Sequence, residues 1–517
     1  MNSFIEAHRQ QIVGELRGWD RLRLRGILPY IAHAAGLQGH LRRAGQSLAD
    51  FGSYVPRCSI ALGRCVEQAT AAAGRKLIRL RHGGIDKEAL AREIAARDQV
   101  KAGLICTLSA VENCRSFKLG RDAQGQLRLY GCPRQCLHYY HYLIHPVFGF
   151  MHLRIQSWLP LSLHLCLNGR EWLSRQLEAA GVGYLRKENC FVRISNLERA
   201  QRLMQEQVDY QWKQPLEALV QQYLPDLEQV LAPDGLNYYW SIEESEWAVD
   251  LLFQSDQELG QLFRRLTRHG IEHLGARDTL KFLGQKVPTS GWVYGNDHRQ
   301  LYSSFKHRPE GTCIKHRLEH NQIKCYQKQG YVLRTEVTIN NPHQFKVPRW
   351  DEQGQVRWMP MRKGVVDARR RAEVSDQACE RYLQAMAVIQ TPQPLQELTQ
   401  KLCRPVRWGK GRVRGLRVLE AEEMRLLALV NQGEFAIHGF RNRDLREAWF
   451  GPDSADRQQN QRRSAQITRK LRLLRAHGLI HKLSGTHRYQ VSDTGRQAIT
   501  ALLAAAQADI TQLTKAA

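Results

Sequence analysis

The chain has 517 residues, 43% of them hydrophobic, with 76 Lys plus Arg against 50 Asp plus Glu and a formal net charge of +26. That length suits about three buried cores, and so large a cationic excess repels itself in a compact fold unless a polyanion is at hand, nucleic acid being the commonest. No apolar run approaches the roughly 20 residues that cross a bilayer. The opening MNSFIEAHRQQIVGEL lacks a signal-type apolar core, and the 12 cysteines favour apolar segments such as LHLCLNG. A cytoplasmic protein with reduced thiols, neither secreted nor membrane-bound, is therefore expected.

In chain order, residues 1–102 read as a basic helical region, because FIEAHRQQIVGELRGW, ILPYIAHAAGLQGHLRRAG and DKEALAREIAARD carry apolar residues at spacings of three and four. Inside it, WDRLRLRG sets Arg21, Arg23 and Arg25 at strand-like spacing before Gly26, which makes them candidates for a phosphate clamp as against a solvated charged face. From Gly103 the period shifts to two, through GLICTLSAVENC and FKLGRDAQGQLRLYG, with a hairpin turn at Asp122 to Gly125. A central α+β domain is expected over 103–345. Residues 155–194 and 242–283 both read strand, turn, amphipathic helix, Gly, strand, with the glycines at 181 and 270, a candidate internal duplication. The strand pair GTCIKHRLEHNQIKCYQKQGYVLRTEVTINNP turns at Gln329-Gly330. Residues 346–418 form an Arg- and Trp-rich connection with one helix near 373–390, ending in RPVRWGKGRVRGLR, read as a flexible basic strip suited to phosphates.

The last region, 419–517, runs apolar helix, second helix, the basic helix RRSAQITRKLRLLRAHGLI, then two alternating strands about a Ser484-Gly485 turn. That order, and the phrase LLRAHGLI…LSGTHRYQVSDTGR, resemble the winged-helix superfamily over about 420–507. The resemblance implies that Arg462, Arg463, Arg469, Lys470 and Arg472 enter a major groove while Lys482, His487 and Arg488 on the wing meet backbone or minor groove. Residues 461–490 hold no acid at all, which favours nucleic acid over a protein partner.

KCYQKQGYVLRTEVTINN (324–341) resembles, over under twenty residues, the rolling-circle replication initiators of plasmids and filamentous phages. The resemblance implies Glu336 as a metal ligand, Arg334 as a phosphate clamp, and Tyr326 or Lys324 as substrate contacts. No His-hydrophobic-His triplet stands where those enzymes place one. Phosphodiester cleavage with Mg²⁺ or Mn²⁺ needs converging carboxylates and a nucleophile; Glu246 and Asp250, in SEWAVD, join Glu336 and Tyr326 as that set. The competing reading makes those acids structural ion pairs with Arg264, Lys281 or Arg334.

In CPRQCLHYYHYLIHP a zinc site at Cys132, Cys136 and His138 is weighed against an aromatic strand with incidental thiols, and the strand is preferred. Tyr139, Tyr140, His141, Tyr142 and Trp158 would offer bases a stacking face, or pack in the core. No phosphate loop and no nucleophile elbow occurs. Through WDRLRLRG, NGREWL and RNRDL the whole chain resembles a bacterial protein family with no assigned function. The combined expectation is an α+β protein with a helical N-terminal region, a central mixed domain and a C-terminal winged helix. It would bind DNA, and RNA as an alternative, in a bacterial mobile-element or plasmid system, either nicking DNA or acting as a regulator or ribonucleoprotein component. Dimerisation is left open.

Overall fold

A computed structural model describes residues 3–81, 84–272, 274–285, 301–308, 311–350, 353–387, 395–409, 411–432, 435, 439–484 and 486–508. Its centre is an eleven-stranded sheet. The strands are β1 (Ile12–Ile27), β2 (Leu77–Arg79), β3 (Gly103–Arg121), β4 (Leu127–His145), β5 (Gly149–Gln156), β6 (Leu163–Asn168), β9 (Tyr239–Phe253), β10 (Leu301–Arg308), β11 (Gly311–Leu318), β12 (Asn321–Lys328) and β13 (Val332–Ile339); β7 (Tyr184–Lys187) and β8 (Cys190–Ile194) form a separate hairpin. The order β10-β11-β12-β13-β9-β1-β6-β5-β4-β3-β2 makes two halves that follow one path: a long central strand, helices, then a four-strand meander whose last member returns to pair with the central strand. The central strands, β1 and β9, are antiparallel, with Trp19 opposite Trp247 and their rings edge-on at 5.1 Å.

β1 corrects the expectation that 1–102 is helical. Residues 12–27 are hydrogen-bonded between β9 and β6, inside the sheet that was expected to begin at Gly103. The helical spacing of its apolar residues yields to alternation: Leu22 and Leu24 are buried, and Arg21, Arg23 and Arg25 point to the opposite face. Beyond the reach of β6, the edge of β1 is covered by the helix Leu197–Val208, whose Gln201 side chain accepts from the Arg17 N–H at 2.7 Å. At that corner Gly169 touches the Trp19 carbonyl, where a Cβ would sit 1.8 Å from the oxygen, so no larger residue fits.

The two stretches matched in sequence part company after their first helix. Residues 155–194 give β6, the helix Gly169–Ala179 and the β7–β8 hairpin, whereas 242–283 give β9 and two helices, Asp256–Glu272 and Ala276–Phe282. The strand expected after Gly270 is instead the helix Ala276–Phe282, because Asp278 accepts from the Gly275 N–H at 3.0 Å, fixing the first turn, while Leu280 and Leu283 fall on one buried side.

One face of the sheet is covered by Phe51–Ala72, Lys213–Tyr223, Asp256–Glu272 and Ala368–Ala387, which meet residues such as Tyr139, His141, Ile314, Val337 and Trp247. The other face is polar; among the described residues the helix Lys87–Arg97 packs over Tyr140 and Tyr142, and Asn189 of the β7–β8 hairpin, with Arg170, closes over Asp20, Asp250 and Arg334 on the central strands. A second, separate core lies within the C-terminal residues 402–503. Its elements are the helices Ala421–Val430, Asn442–Phe450, Arg457–Ala476 and Asp493–Ala505 and a hairpin of β18 (Ile480–Lys482) with β19 (Tyr489–Val491). Two further ribbons join the halves of the chain: β14 (Lys346–Trp350) with β15 (Val356–Pro360), and β16 (Val406–Trp408) with β17 (Gly411–Val413). Among the described residues no helix is long and apolar enough to cross a membrane.

Candidate nucleic-acid interface and carboxylate cluster

Strand register decides which side chains share the open face. Lys324 stands opposite Glu336 and Tyr326 opposite Arg334; Arg334 stands opposite Asp250 and Thr338 opposite Glu246; Arg21 stands opposite Glu246 and Arg23 opposite Glu244. Successive side chains on a strand alternate faces, so all of these meet on the polar side.

Two linked groups result. In the deeper one, Arg334 donates to both Asp250 oxygens at 2.6 and 2.8 Å, to Asp20 at 2.9 Å and to the Asn189 carbonyl at 3.0 Å. Arg170 donates to Asp250 at 3.0 Å, and Asn189 donates to Asp20 at 2.8 Å. Arg334 and Arg170 are fully buried. Burial alone would push the Asp20 carboxyl up, but the guanidinium groups of Arg334 and Arg170 outweigh it and hold the group below its ordinary value.

In the shallower group Lys324 meets Glu336 at 2.6 Å and Glu246 at 3.5 Å, Tyr326 donates to Glu336 at 2.5 Å, and Arg21 reaches Glu246 at 2.9 Å. Burial, and next the charge on Glu336, push the Glu246 carboxyl up to about 7, against the pull of Lys324 and Arg21. The Tyr326 phenol is pushed well above its usual range, first by burial and then by Glu336.

The acids expected to gather a metal were Glu246, Asp250 and Glu336. Asp250 is instead engaged by two arginines, and the carboxylates that converge are Asp20, Glu246 and Glu336, with one oxygen of each within 4.8 Å of the others. Among the described residues this is the sole such set of three. Asp20 escaped the sequence because its neighbours are arginines; the one signal that could have found it is its place as the lone acid in WDRLRLRG. Arg334, expected to clamp a phosphate, is buried on carboxylates. Neither Arg264 nor Lys281 takes part in these pairs.

Arg21, Arg23 and Arg25 lie together on the open face, with side chains 38%, 53% and 37% exposed, but each meets an acid of β9: Glu246, Glu244 and Glu243 respectively. Three further cations on the outer strands went unread in the sequence. Lys315 stands opposite Lys324 across β11 and β12. Lys306 and Arg317 lie on the same side, Arg317 donating to the Tyr302 hydroxyl at 3.1 Å. Burial and then the neighbouring charge of Lys324 push the Lys315 ammonium down, a sign of crowded positive charge.

The aromatic platform is corrected. Tyr139, Tyr140 and Tyr142 are buried, and His141 is stacked on Tyr223, so none offers a face to a base. Trp158 follows β5 instead of lying on a strand and carries the Arg134 guanidinium 4.1 Å from its ring centre. Cys132 and Cys136 both lie on β4, where four residues span about 13 Å, too far for one zinc ion. Cys136 Sγ lies 3.3 Å from Cys114 Sγ, with His138 Nδ1 at 3.9 Å.

On the helix Arg457–Ala476, Arg462, Arg469 and Arg472 are exposed, as are Lys482 and His487 on the hairpin. Arg463 lies over the Phe450 ring, and Lys470 is spent on Glu422 and Trp449. Arg488 turns back onto Trp358 and the Gly439 carbonyl. Of the expected hairpin turn, Gly485 lies outside the described residues. No family model, curated protein or solved structure matches this chain.

Proposed function

We propose that this protein binds nucleic acid. The open sheet face follows a single-stranded backbone, and the C-terminal module, read as a winged helix, holds a duplex. The observation that carries this reading is the run of cations along one side of the eleven-stranded sheet: Arg23, Lys306, Lys315, Arg317 and Lys324 lie on its polar face, Arg23 and Lys306 exposed. Lys324 is met by Glu336 and Glu246, whereas Lys306, Lys315 and Arg317 on the outer strands meet no carboxylate among the described residues, and a bound anion would offset their charge. A replication or mobile-element role in bacteria is the setting in which a single-strand track and a duplex-binding module would serve one chain.

The test is anisotropy of a labelled single-stranded oligonucleotide against salt. Lys315→Ala with Arg317→Ala should weaken binding about tenfold at low salt and flatten the salt slope by about 1.4, near 0.7 for each phosphate no longer neutralised. Unchanged affinity and slope would remove the sheet face from the proposal.

A second reading, cleavage, is favoured by the convergence of Asp20, Glu246 and Glu336 beside the Tyr326 hydroxyl. The three carboxylates are hard oxygen donors of the kind that hold Mg²⁺ or Mn²⁺, and Lys324 would have to swing off Glu336 to admit an ion. In such a reaction the Tyr326 oxygen forms a bond to phosphorus, its proton passes to Glu336, and the P–O3′ bond breaks, the 3′ oxygen taking a proton from water. Nicking of a supercoiled plasmid that needs the metal and is lost in Tyr326→Phe and Glu336→Gln is the expected result. An intact plasmid under both metals eliminates cleavage and leaves binding standing.

A further inference from the structure

The Arg- and Trp-rich segment 404–417, expected to be a flexible strip, is folded over its described residues, 404–409 and 411–417. Val406, Arg407 and Trp408 pair with Val413, Arg412 and Gly411 in a tight ribbon, β16–β17. The ribbon is fastened at three points. Leu402, Val413 and Leu416 enter the C-terminal core, and the Leu416 N–H donates to the Leu402 carbonyl at 2.8 Å. His477, just past the basic helix, bonds to the Arg414 carbonyl at 2.8 Å. At Gly415 a Cβ would sit 1.8 Å from the Cys403 carbonyl oxygen, so the two legs of the segment close on each other as only glycine allows.

Its position matters more than its fold. Arg475, in the last turn of the helix Arg457–Ala476, lies over the Trp408 ring at 5.4 Å and near the Tyr489 ring at 5.9 Å. One guanidinium is thus held between the β16–β17 ribbon and the β18–β19 hairpin, which flank the same end of the helix. Arg472 continues the helix's exposed cationic stripe onto the ribbon, its Nη2 only 3.5 Å from where a Cβ of Gly411 would stand.

The outward side of the ribbon is electrostatically unfinished. Arg407 and Arg412 are directly opposite each other and exposed, and neither meets an acid among the described residues. Cross-strand like charges destabilise a ribbon this short, and an anion between the two guanidinium groups turns that cost into attraction.

We propose that β16–β17 is a second wing, and that together with β18–β19 it grips the two phosphate backbones of a B-form DNA duplex whose major groove receives the helix Arg457–Ala476. B-form DNA is specified because the major groove of duplex RNA is too deep and narrow to admit a helix. The inference rests on the duplex-binding reading of the C-terminal module and adds a contact arm that the winged-helix resemblance, which covers about 420–507, does not contain.

The full chain is titrated onto a short labelled mixed-sequence DNA duplex and footprinted with hydroxyl radicals. Arg407→Ala with Arg412→Ala should weaken binding about tenfold, flatten the salt slope by about 1.8, and uncover sugars on one flank of the footprint while its centre stays protected. Arg469→Ala with Arg472→Ala should uncover the centre. Arg407→Lys with Arg412→Lys should restore most of the slope, since charge and not shape is at stake, and superimposable thermal melts should show the exposed substitutions leaving the fold intact. If the ribbon variant matches the unaltered protein in affinity, slope and footprint while the helix variant loses its centre, the second wing is wrong and the module reading survives. If the unaltered protein leaves the duplex unbound, or the helix variant behaves like it, the underlying reading fails and the wing with it. Equal or tighter binding to duplex RNA of the same sequence also overturns the proposal.

Discussion

In the first half of the sheet Glu112 accepts from the Tyr140 hydroxyl at 2.6 Å and meets Arg154 at 2.8 Å and Lys87 at 3.1 Å. In the second half Glu336 likewise accepts from a tyrosine, Tyr326, and meets a cation, Lys324, but it shares that ammonium with Glu246 and lies close to Asp20. Residue types match; electrostatic outcomes do not. Burial would raise the Glu112 carboxyl, yet Tyr140, Arg154 and Lys87 together bring it down to about 2, whereas burial and a like charge bring Glu246 up to about 7. One acid among several cations makes a structural joint. Three acids that converge on one another, even with Lys324, Arg21 and Arg334 beside them, make a place where a proton or an added cation changes the energy, which is what a functional site requires.

Breaking the joint beneath the second cluster should have the largest effect. Arg334→Ala leaves Asp20 and Asp250 buried with only Arg170 in common, and should cost about 3–5 kcal/mol of unfolding free energy in urea titration. A cost under 1 kcal/mol would mean that the deeper group is dispensable to folding.

Next comes Glu112→Gln, which removes a carboxylate whose folded value is depressed. The stability it supplies is present above about pH 4.5 and is lost as pH falls toward 2. The substitution should therefore cost on the order of 1–2 kcal/mol at neutral pH, after discounting for its partial exposure, and nothing near pH 2. A cost that persists undiminished into acid would mean that packing, not charge, is what Glu112 supplies.

The smallest effect should have the opposite sign. Glu246 has a folded value raised to about 7, so its ionisation opposes folding above that pH and the opposition fades as pH falls toward 4.5. Glu246→Gln should raise stability at pH 8 by on the order of 1 kcal/mol and change little at pH 5. Destabilisation at pH 8 would show that the pairings with Arg21 and Lys324 outweigh the repulsion from Glu336, and would erase the contrast with Glu112.

Much of the local structure was legible. The alternating runs of β12 and β13 and their turn at Gln329-Gly330, both at positive φ, stand where the sequence placed them. So do the turn at Asp122 to Gly125 and the helix, helix, basic helix, hairpin order of the C-terminal module. Each is set by side-chain period and turn chemistry within a few residues. The misreadings share a cause. Residues 12–27 carry a helical spacing of apolar groups and become a strand because β9 and β6 supply hydrogen-bond partners from 137 and more positions away. VRWGKGRV looks like a linker until the C-terminal core takes up Leu402, Val413 and Leu416.

The candidate site divides in the same way. Composition by itself determined the cationic excess that an anionic partner would offset, and the strand pair KCYQKQGYVLRTEV by itself placed Lys324, Tyr326, Arg334 and Glu336 on one hairpin, through alternation and a short turn at Gln329-Gly330. Only the tertiary structure decided that Asp20, not Asp250, joins Glu246 and Glu336. That choice depends on the register of β1 against β9, shifted between Trp19 and Arg21, and on which carboxylate the buried Arg334 and Arg170 take first. Register and competition for a buried guanidinium are properties of segments hundreds of residues apart, and they exist only once those segments are pressed together out of water.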